Sequence, residues 1–304
     1  MSAQAPVWIL AAPFSGASWL ASCLGQHPQL YATPELNLLM ADTVGELLDI
    51  FDVGQGTHAH GLLRTLAELE FGGQTDAGVA QARGWLDQRR AMRIGELAQW
   101  FTEKASPRRL VMPDSEAALR PLHLRRLLAQ SPEAHVIHLV RHPWEQGCLL
   151  AAWARERLFV PPDFKDHAFH PAQIDPQIPW LRANANLERL RPAWPADRWR
   201  LQRSEDVENE AVSSLDGLCQ WLGIAHDDRA HAAMLAPEAW TYAGPGPASA
   251  VGGLEAELVE PFSEDTLRLA SCPSLSRSLP WRDDGAGFDA QVRALAPGLG
   301  YGDD

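Results

Sequence analysis

Four short apolar runs punctuate the chain: Val7–Ala11, Arg109–Met112, His135–Val140 and Arg198–Gln202. Each is separated from the next by stretches with helical periodicity. Runs that are apolar on both faces and alternate with helices predict a parallel sheet covered on both sides. A helix follows the first run and extends to about Gln26. From Leu36 to Glu103 the pattern reads as several helices, interrupted at Gly54-Gln55-Gly56 and Gly72-Gly73. We take residues 36–103 as a helical insertion or cap within a single domain spanning 1–304. Further helices are expected at Trp144–Arg157, Trp180–Arg191 and Glu210–Leu222, with a Pro-rich loop from Val160 to Pro179. Ala243–Gly253, rich in Gly, Pro, Ala and Ser, reads as a mobile loop, and a helical portion closes the chain.

Length and charge narrow the picture. A chain of 304 residues, 46% hydrophobic, is long enough to bury a sizeable core. Its net charge of −13 argues against nucleic acid or an anionic membrane surface as the main partner. No apolar run approaches the ~20 residues needed to span a bilayer. The N-terminus lacks the basic region of a secretory signal. Cys23, Cys148, Cys219 and Cys272 show no paired spacing, which fits a reducing, cytoplasmic setting.

Candidate chemistry begins at the first strand. Between it and the following helix lies Ser15-Gly16-Ala17-Ser18. Backbone N–H groups at such a turn point outward with the positive end of the helix dipole and make an anion site. An ordinary strand–helix turn has the same residues. The turn carries no Lys or Arg, and the first basic side chain of the protein is Arg64. Five acids (Glu35, Asp42, Glu46, Asp49 and Asp52) precede it. With no Gly-Lys-Ser/Thr, this is not a nucleoside-triphosphate P-loop. Ser15 is also the only serine on a strand–helix turn, but no Gly-x-Ser-x-Gly elbow surrounds it.

Glu35 stands in the otherwise apolar run Leu30–Met40. After Pro34 it either caps a helix or sits partly buried with a raised pKa, as a general base requires. Arg141 follows an apolar strand, at the edge where open α/β sheets bind ligands. Its alternative is a salt bridge to Glu145 or another acid. His135, His138 and His142 share no plausible metal-ligand face, so no metal site is assigned. Glu205-Asp206 reads as stabilising the fold.

The order of these segments resembles the sulfotransferases that use 3′-phosphoadenosine 5′-phosphosulfate (PAPS). Pro13-Phe14-Ser15-Gly16-Ala17-Ser18-Trp19-Leu20 is similar to the family's 5′-phosphosulfate loop, with His27-Pro28-Gln29-Leu30 following. His138-Leu139-Val140-Arg141-His142-Pro143 resembles its 3′-phosphate strand and turn. Ser204-Glu205-Asp206-Val207, Leu218–Gly223 and the ending Leu299-Gly300-Tyr301 resemble later elements. Tyr31–Leu39 is similar to bacterial members linked to polyketide and other natural-product assembly, which use a glutamate at the position of Glu35 as catalytic base. The resemblance implies a three-layer α/β sandwich with a parallel sheet, related to the P-loop kinases, with helical insertions. It implies Ser15, Gly16, Ala17, Ser18 and Arg141 as cofactor-binding residues and Glu35 as the catalytic one. The implied reaction is sulfuryl transfer from PAPS to a hydroxyl of a small or carrier-protein-bound metabolite.

Several positions depart from the family pattern. Phe14 stands where the family has Arg or Lys, and Ala17 where it has Thr. Met112-Pro113-Asp114-Ser115 replaces a Lys-Ser-Pro element, and Leu149 replaces the 3′-phosphate serine. Charge-assisted hydrogen bonds contribute about 1.5–3 kcal/mol each, against about 0.3–2 kcal/mol from a helix N-terminus. These losses leave two further possibilities open. One is a diverged enzyme on the same scaffold that acts on an activated acyl or carrier-bound intermediate without PAPS. The other is a non-catalytic scaffold.

Overall fold

The computed structural model describes residues 4–54, 56–253 and 273–302. Five parallel strands form the central sheet: β1 (Val7–Ala11), β2 (Leu30–Ala32), β3 (Arg109–Asp114), β4 (His135–Val140) and β7 (Trp199–Arg203), in the order β2-β3-β1-β4-β7. A two-residue hairpin, β5 (Lys165–Asp166) and β6 (Gln173–Ile174), lies apart from it in the expected Pro-rich loop.

The strands are apolar on both faces because both faces are covered. In β1, Trp8 and Leu10 point into one core with Leu62, Leu97 and Phe101. Val7, Ile9 and Ala11 point into the other with Leu20, Leu24 and Leu218. Fully burying each such side chain contributes about 1.5–3 kcal/mol. The first face is supplied largely by α2 (Val44–Val53), α3 (His60–Glu70), α4 (Asp76–Asp87) and α5 (Ile94–Ala105). The second is supplied by α1 (Ala17–Gly25), α10 (Ala211–Leu222) and α11 (Asp228–Met234). The result is a three-layer α/β sandwich. α6 (Pro121–Gln130), α7 (Pro143–Arg155), α8 (Gln177–Leu190) and α9 (Ser204–Asn209) complete the helices that flank the strand ends.

Local chemistry explains several boundaries. Thr43 caps α2: its Oγ1 accepts from Glu46 N–H while Glu46 accepts from Thr43 N–H, a reciprocal capping box. Pro121 and Pro143 open α6 and α7, where a missing N–H costs nothing. A third core, around Trp144, Trp180, Phe288, Leu299 and Tyr301, anchors the C-terminal segment. That segment contains the short helix Ala290–Leu295 and the 3₁₀ turn Ala296–Leu299; residues 273–289 are turns and irregular chain rather than the expected helix, and residues 254–272, with Cys272, lie outside the described residues.

Candidate functional site

Register places the candidate residues along one edge of the sheet. Leu10 of β1 is level with Asp114 of β3, and Ala11 with Leu139 of β4. Ala32 of β2 is level with Val111, and Val140 of β4 with Arg203 of β7. Because all five strands run the same way, every loop that leaves them emerges on the same side. Across that carboxyl edge the order is Glu35 after β2, Ser115-Glu116 after β3, the turn Pro13–Ser18 after β1, Arg141 after β4, and Ser204–Glu208 after β7. With about 4.8 Å between strands, the strands that lead to Glu35 and Arg141 lie roughly 15 Å apart, with β1 and its turn between them.

The turn is held rigidly. Ser204 Oγ donates to Ser15 O, and Gln146 Nε2 donates to Pro13 O at 2.9 Å. Gly16 has φ +84°, a left-handed conformation that glycine adopts freely. Phe14 also has a positive φ of 67°. For a residue with a Cβ this costs about 1–2 kcal/mol, and such outliers cluster at functional loops. The Phe14 ring packs against Trp153 at 5.5 Å between centroids, so an aromatic stack occupies the place where a basic side chain is expected. Three buried polar atoms near the turn have no partner among the described residues: Ser15 Oγ, Arg141 Nε and Gln146 Oε1.

Glu35 enters from β2 through Thr33, whose N–H bonds Val111 O at 3.0 Å. No helix begins at Glu35, so its carboxylate caps none; the next element is a single 3₁₀ turn at Leu38–Met40. Instead, Oε1 accepts the Ser115 N–H at 3.0 Å. Helix α3 crosses so closely that a Cβ on Gly61 would lie 2.1 Å from the Glu35 carbonyl oxygen, and only glycine fits there. By surface area Glu35 is half-buried, yet its carboxyl is packed densely enough that burial raises its pKa. Two further acids share this corner. Burial and the neighbouring Glu35 push Asp114 up to about 8 and Glu116 up to about 7. Asp114 Oδ1 accepts the Ala117 N–H at 2.7 Å.

Arg141 is 3% exposed and lies under the turn. Its Nη2 donates to Glu208 Oε1, and Nη1 is 3.6 Å from Glu145 Oε2. Burial alone would lower the guanidinium pKa; Glu208, Glu205 and Glu145 together outweigh it and raise it. Glu145, buried and facing Glu205, is pushed up to about 7. Glu205 accepts the His142 N–H at 2.6 Å and the Tyr301 hydroxyl at 2.8 Å, which locks the end of β4.

The structure therefore brings Glu35, the Ser15–Ser18 turn and Arg141 to one edge. Arg141 has its expected alternative partner Glu145 at 3.6 Å, and the structure adds Asp114, Ser115, Glu116 and Glu208, whose convergence has no local signal in the sequence. No distant arginine reaches the turn from the described C-terminal residues. Arg282 pairs with Asp175 at 3.0 Å and Asp284 at 2.7 Å, and Arg277 lies over the Trp144 ring at 5.2 Å. Among the described residues no helix is long and apolar enough to cross a membrane.

The fold has relatives among known proteins. The profile of the Sulfotransferase family matches residues 6–228. The sulfotransferase domain of the Synechococcus PCC 7002 olefin synthase is similar in structure, with 22% identity, a TM-score of 0.70 and coverage of 99% of this chain and 97% of that one. A sulfotransferase domain from the curacin biosynthetic pathway is similar at 19% identity and a TM-score of 0.69, covering 98% of each chain. At these identities the two structures establish the fold. No curated protein matches the chain by sequence.

Proposed function

The chain belongs to the sulfotransferase family, and on that premise we propose that it is a transferase in which Glu35 takes the proton from a hydroxyl of a small or carrier-bound metabolite. One observation carries this reading. Glu35 is held by the Ser115 N–H at 3.0 Å in a densely packed corner that raises its pKa. A base whose pKa approaches the working pH is better matched to accepting a hydroxyl proton than an exposed carboxylate is. The Ser115 N–H keeps one carboxylate oxygen oriented.

The family's donor, PAPS, would supply the sulfuryl group and would lie on the Ser15–Ser18 turn with its 3′-phosphate at Arg141. The unpartnered Ser15 Oγ and Arg141 Nε suit an oxygen-rich ligand at the turn. The remaining residues do not fit it. Phe14 offers a ring where a cation is needed, and Arg141 is already neutralised by Glu208 and Glu145. Without a cation at the turn, charge developing on a departing phosphate would go unstabilised, and binding elsewhere cannot replace that. This misfit favours the second reading, a diverged family member that acts on a carrier-bound or activated acyl intermediate without PAPS.

Two measurements separate the readings. Adenosine 3′,5′-bisphosphate, the desulfo product of PAPS, should bind in the high-micromolar range or more weakly by calorimetry, no better than about −6 kcal/mol. A sub-micromolar constant would restore PAPS as the donor. Phe14→Arg should then strengthen binding about tenfold through one charge-assisted contact. Unchanged affinity with an intact circular-dichroism spectrum would mean that the turn does not face a phosphate. Assay of hydroxylated and carrier-bound intermediates with and without PAPS identifies the acceptor.

A further inference from the structure

A guanidinium buried as deeply as Arg141 needs an anion beside it, because an unpaired buried charge is strongly destabilising. Here the anion is part of the chain. Glu208, from α9, accepts from Arg141 Nη2, and Glu145, from α7, lies 3.6 Å from Nη1. The side chains of Glu208 and Glu145 are themselves only 14% and 12% exposed, so neither is a loosely held surface acid. The nearby Arg203 offsets the charge of Glu205 and Asp206 but makes no contact with Glu208 or Glu145. Its Nε is 3.8 Å from Asp206 and 4.0 Å from Glu205, and its guanidinium lies over the Tyr301 ring at 4.9 Å. Arg141 is therefore paired within the chain by Glu208 and Glu145, while Glu205 is shared with Arg203.

The geometry above Arg141 is different. Its Nη2 lies 3.4 Å from where a Cβ on Gly16 would stand, so the arginine forms the underside of the β1–α1 turn. On the turn itself no carboxylate intrudes. Helix α1 spans nine residues, has no acidic residue in its first turn, and begins beside the buried, unpartnered Ser15 Oγ. The turn and the arginine beneath it thus carry opposite preferences: the turn suits an anion, and the arginine is already satisfied.

We infer that Glu208 is the resident anion of Arg141, and that the β1–α1 turn takes nucleotides by their 5′ end without regard to a 3′-phosphate. The ligand class is a nucleoside 5′-phosphate or 5′-phosphosulfate. A 3′-phosphate approaching Arg141 must displace Glu208 with Glu145 beside it, whereas a 5′-phosphate on the turn meets the start of α1, whose first turn carries no acid. This inference is independent of Glu35 and stands or falls on binding alone.

The test is calorimetric titration of the full chain with adenosine 5′-monophosphate and with adenosine 3′,5′-bisphosphate, in the wild type and in Glu208→Gln. In the wild type the two nucleotides should bind within about threefold of each other. Glu208→Gln frees one charge-assisted contact, so the bisphosphate should gain about tenfold or more while the monophosphate changes little. A wild type that prefers the bisphosphate tenfold overturns the inference. So does Glu208→Gln with no gain for the bisphosphate, including the case in which neither nucleotide binds. If Glu208→Gln melts at a much lower temperature, Glu145→Gln removes the second carboxylate from the same arginine and is read in the same way.

Discussion

Glu35→Gln should lower turnover of the acceptor by about 10²–10⁴-fold, the usual contribution of general acid–base catalysis. The amide keeps the size of the side chain, and its oxygen still accepts the Ser115 N–H now bonded to Glu35 Oε1. What it loses is the lone pair that receives a proton. Substrate affinity should change far less than kcat, and the melting temperature should not fall, because a costly buried charge is removed. The wild-type pH profile carries the same signature. Burial raises the Glu35 pKa, so kcat/KM should climb with pH through a value above the ordinary carboxylate range. Full activity in Glu35→Gln would remove Glu35 as the base. An inert wild type across hydroxylated and carrier-bound acceptors, with and without PAPS, would shift weight to the scaffold reading.

Much of the frame was legible because the interior strands are continuous apolar runs. β1 and β4 fall where the pattern put them, and β7 begins one residue later than expected. β2 was not seen: Leu30-Tyr31-Ala32 is too short to show a period. β3 runs two residues beyond its expected end, through Pro113 and Asp114, residues that ordinarily argue against an interior strand. The ladder explains the exception. Val111 O accepts the Thr33 N–H, so Val111 faces β2, and Pro113, two residues on, faces the same way. β2 has ended at Ala32 by then, and the missing N–H has no partner to lose.

The site was half legible. The Ser15–Ser18 turn, Glu35 and Arg141 each carry a local signal, a turn between periodic elements or a lone charge in an apolar run. Of the groups that surround them only Glu145, four residues after Arg141, carries one. Glu208 meets Arg141 across 67 residues, and Ser115 meets Glu35 across 80. Only the parallel register, which delivers five loops to one edge, brings these acids together. A net charge of −13 says that acids are abundant but not that three of them enclose one arginine.

That concentration of buried acids has a consequence for stability, largest at Asp114. Its carboxyl is 2% exposed, and burial and then Glu35 push its pKa up to about 8, from an ordinary value near 3.8. The folded state therefore holds a proton that the unfolded chain releases. The associated stability is complete below the unfolded value and is lost as pH rises through the folded one, here between roughly pH 4 and 8. Asp114→Asn cannot ionise, and its side-chain oxygen can still accept the Ala117 N–H bonded at 2.7 Å in the wild type. A tenfold difference in proton affinity between the folded and unfolded chain corresponds to about 1.4 kcal/mol. Even after relaxation around a buried charge, the variant should gain about 2–4 kcal/mol over wild type at high pH. At about pH 4 and below the two should differ little, and the gap should widen from there to about pH 8. Urea unfolding at pH 5 and pH 8.5 measures this directly. Glu116 and Glu145, both pushed up to about 7, should leave a residual slope in Asp114→Asn. Parallel stability curves for the two proteins from pH 5 to 8.5 would mean that Asp114 stays ionised throughout. The corner around Glu35 would then have to be more open to water than its packing indicates.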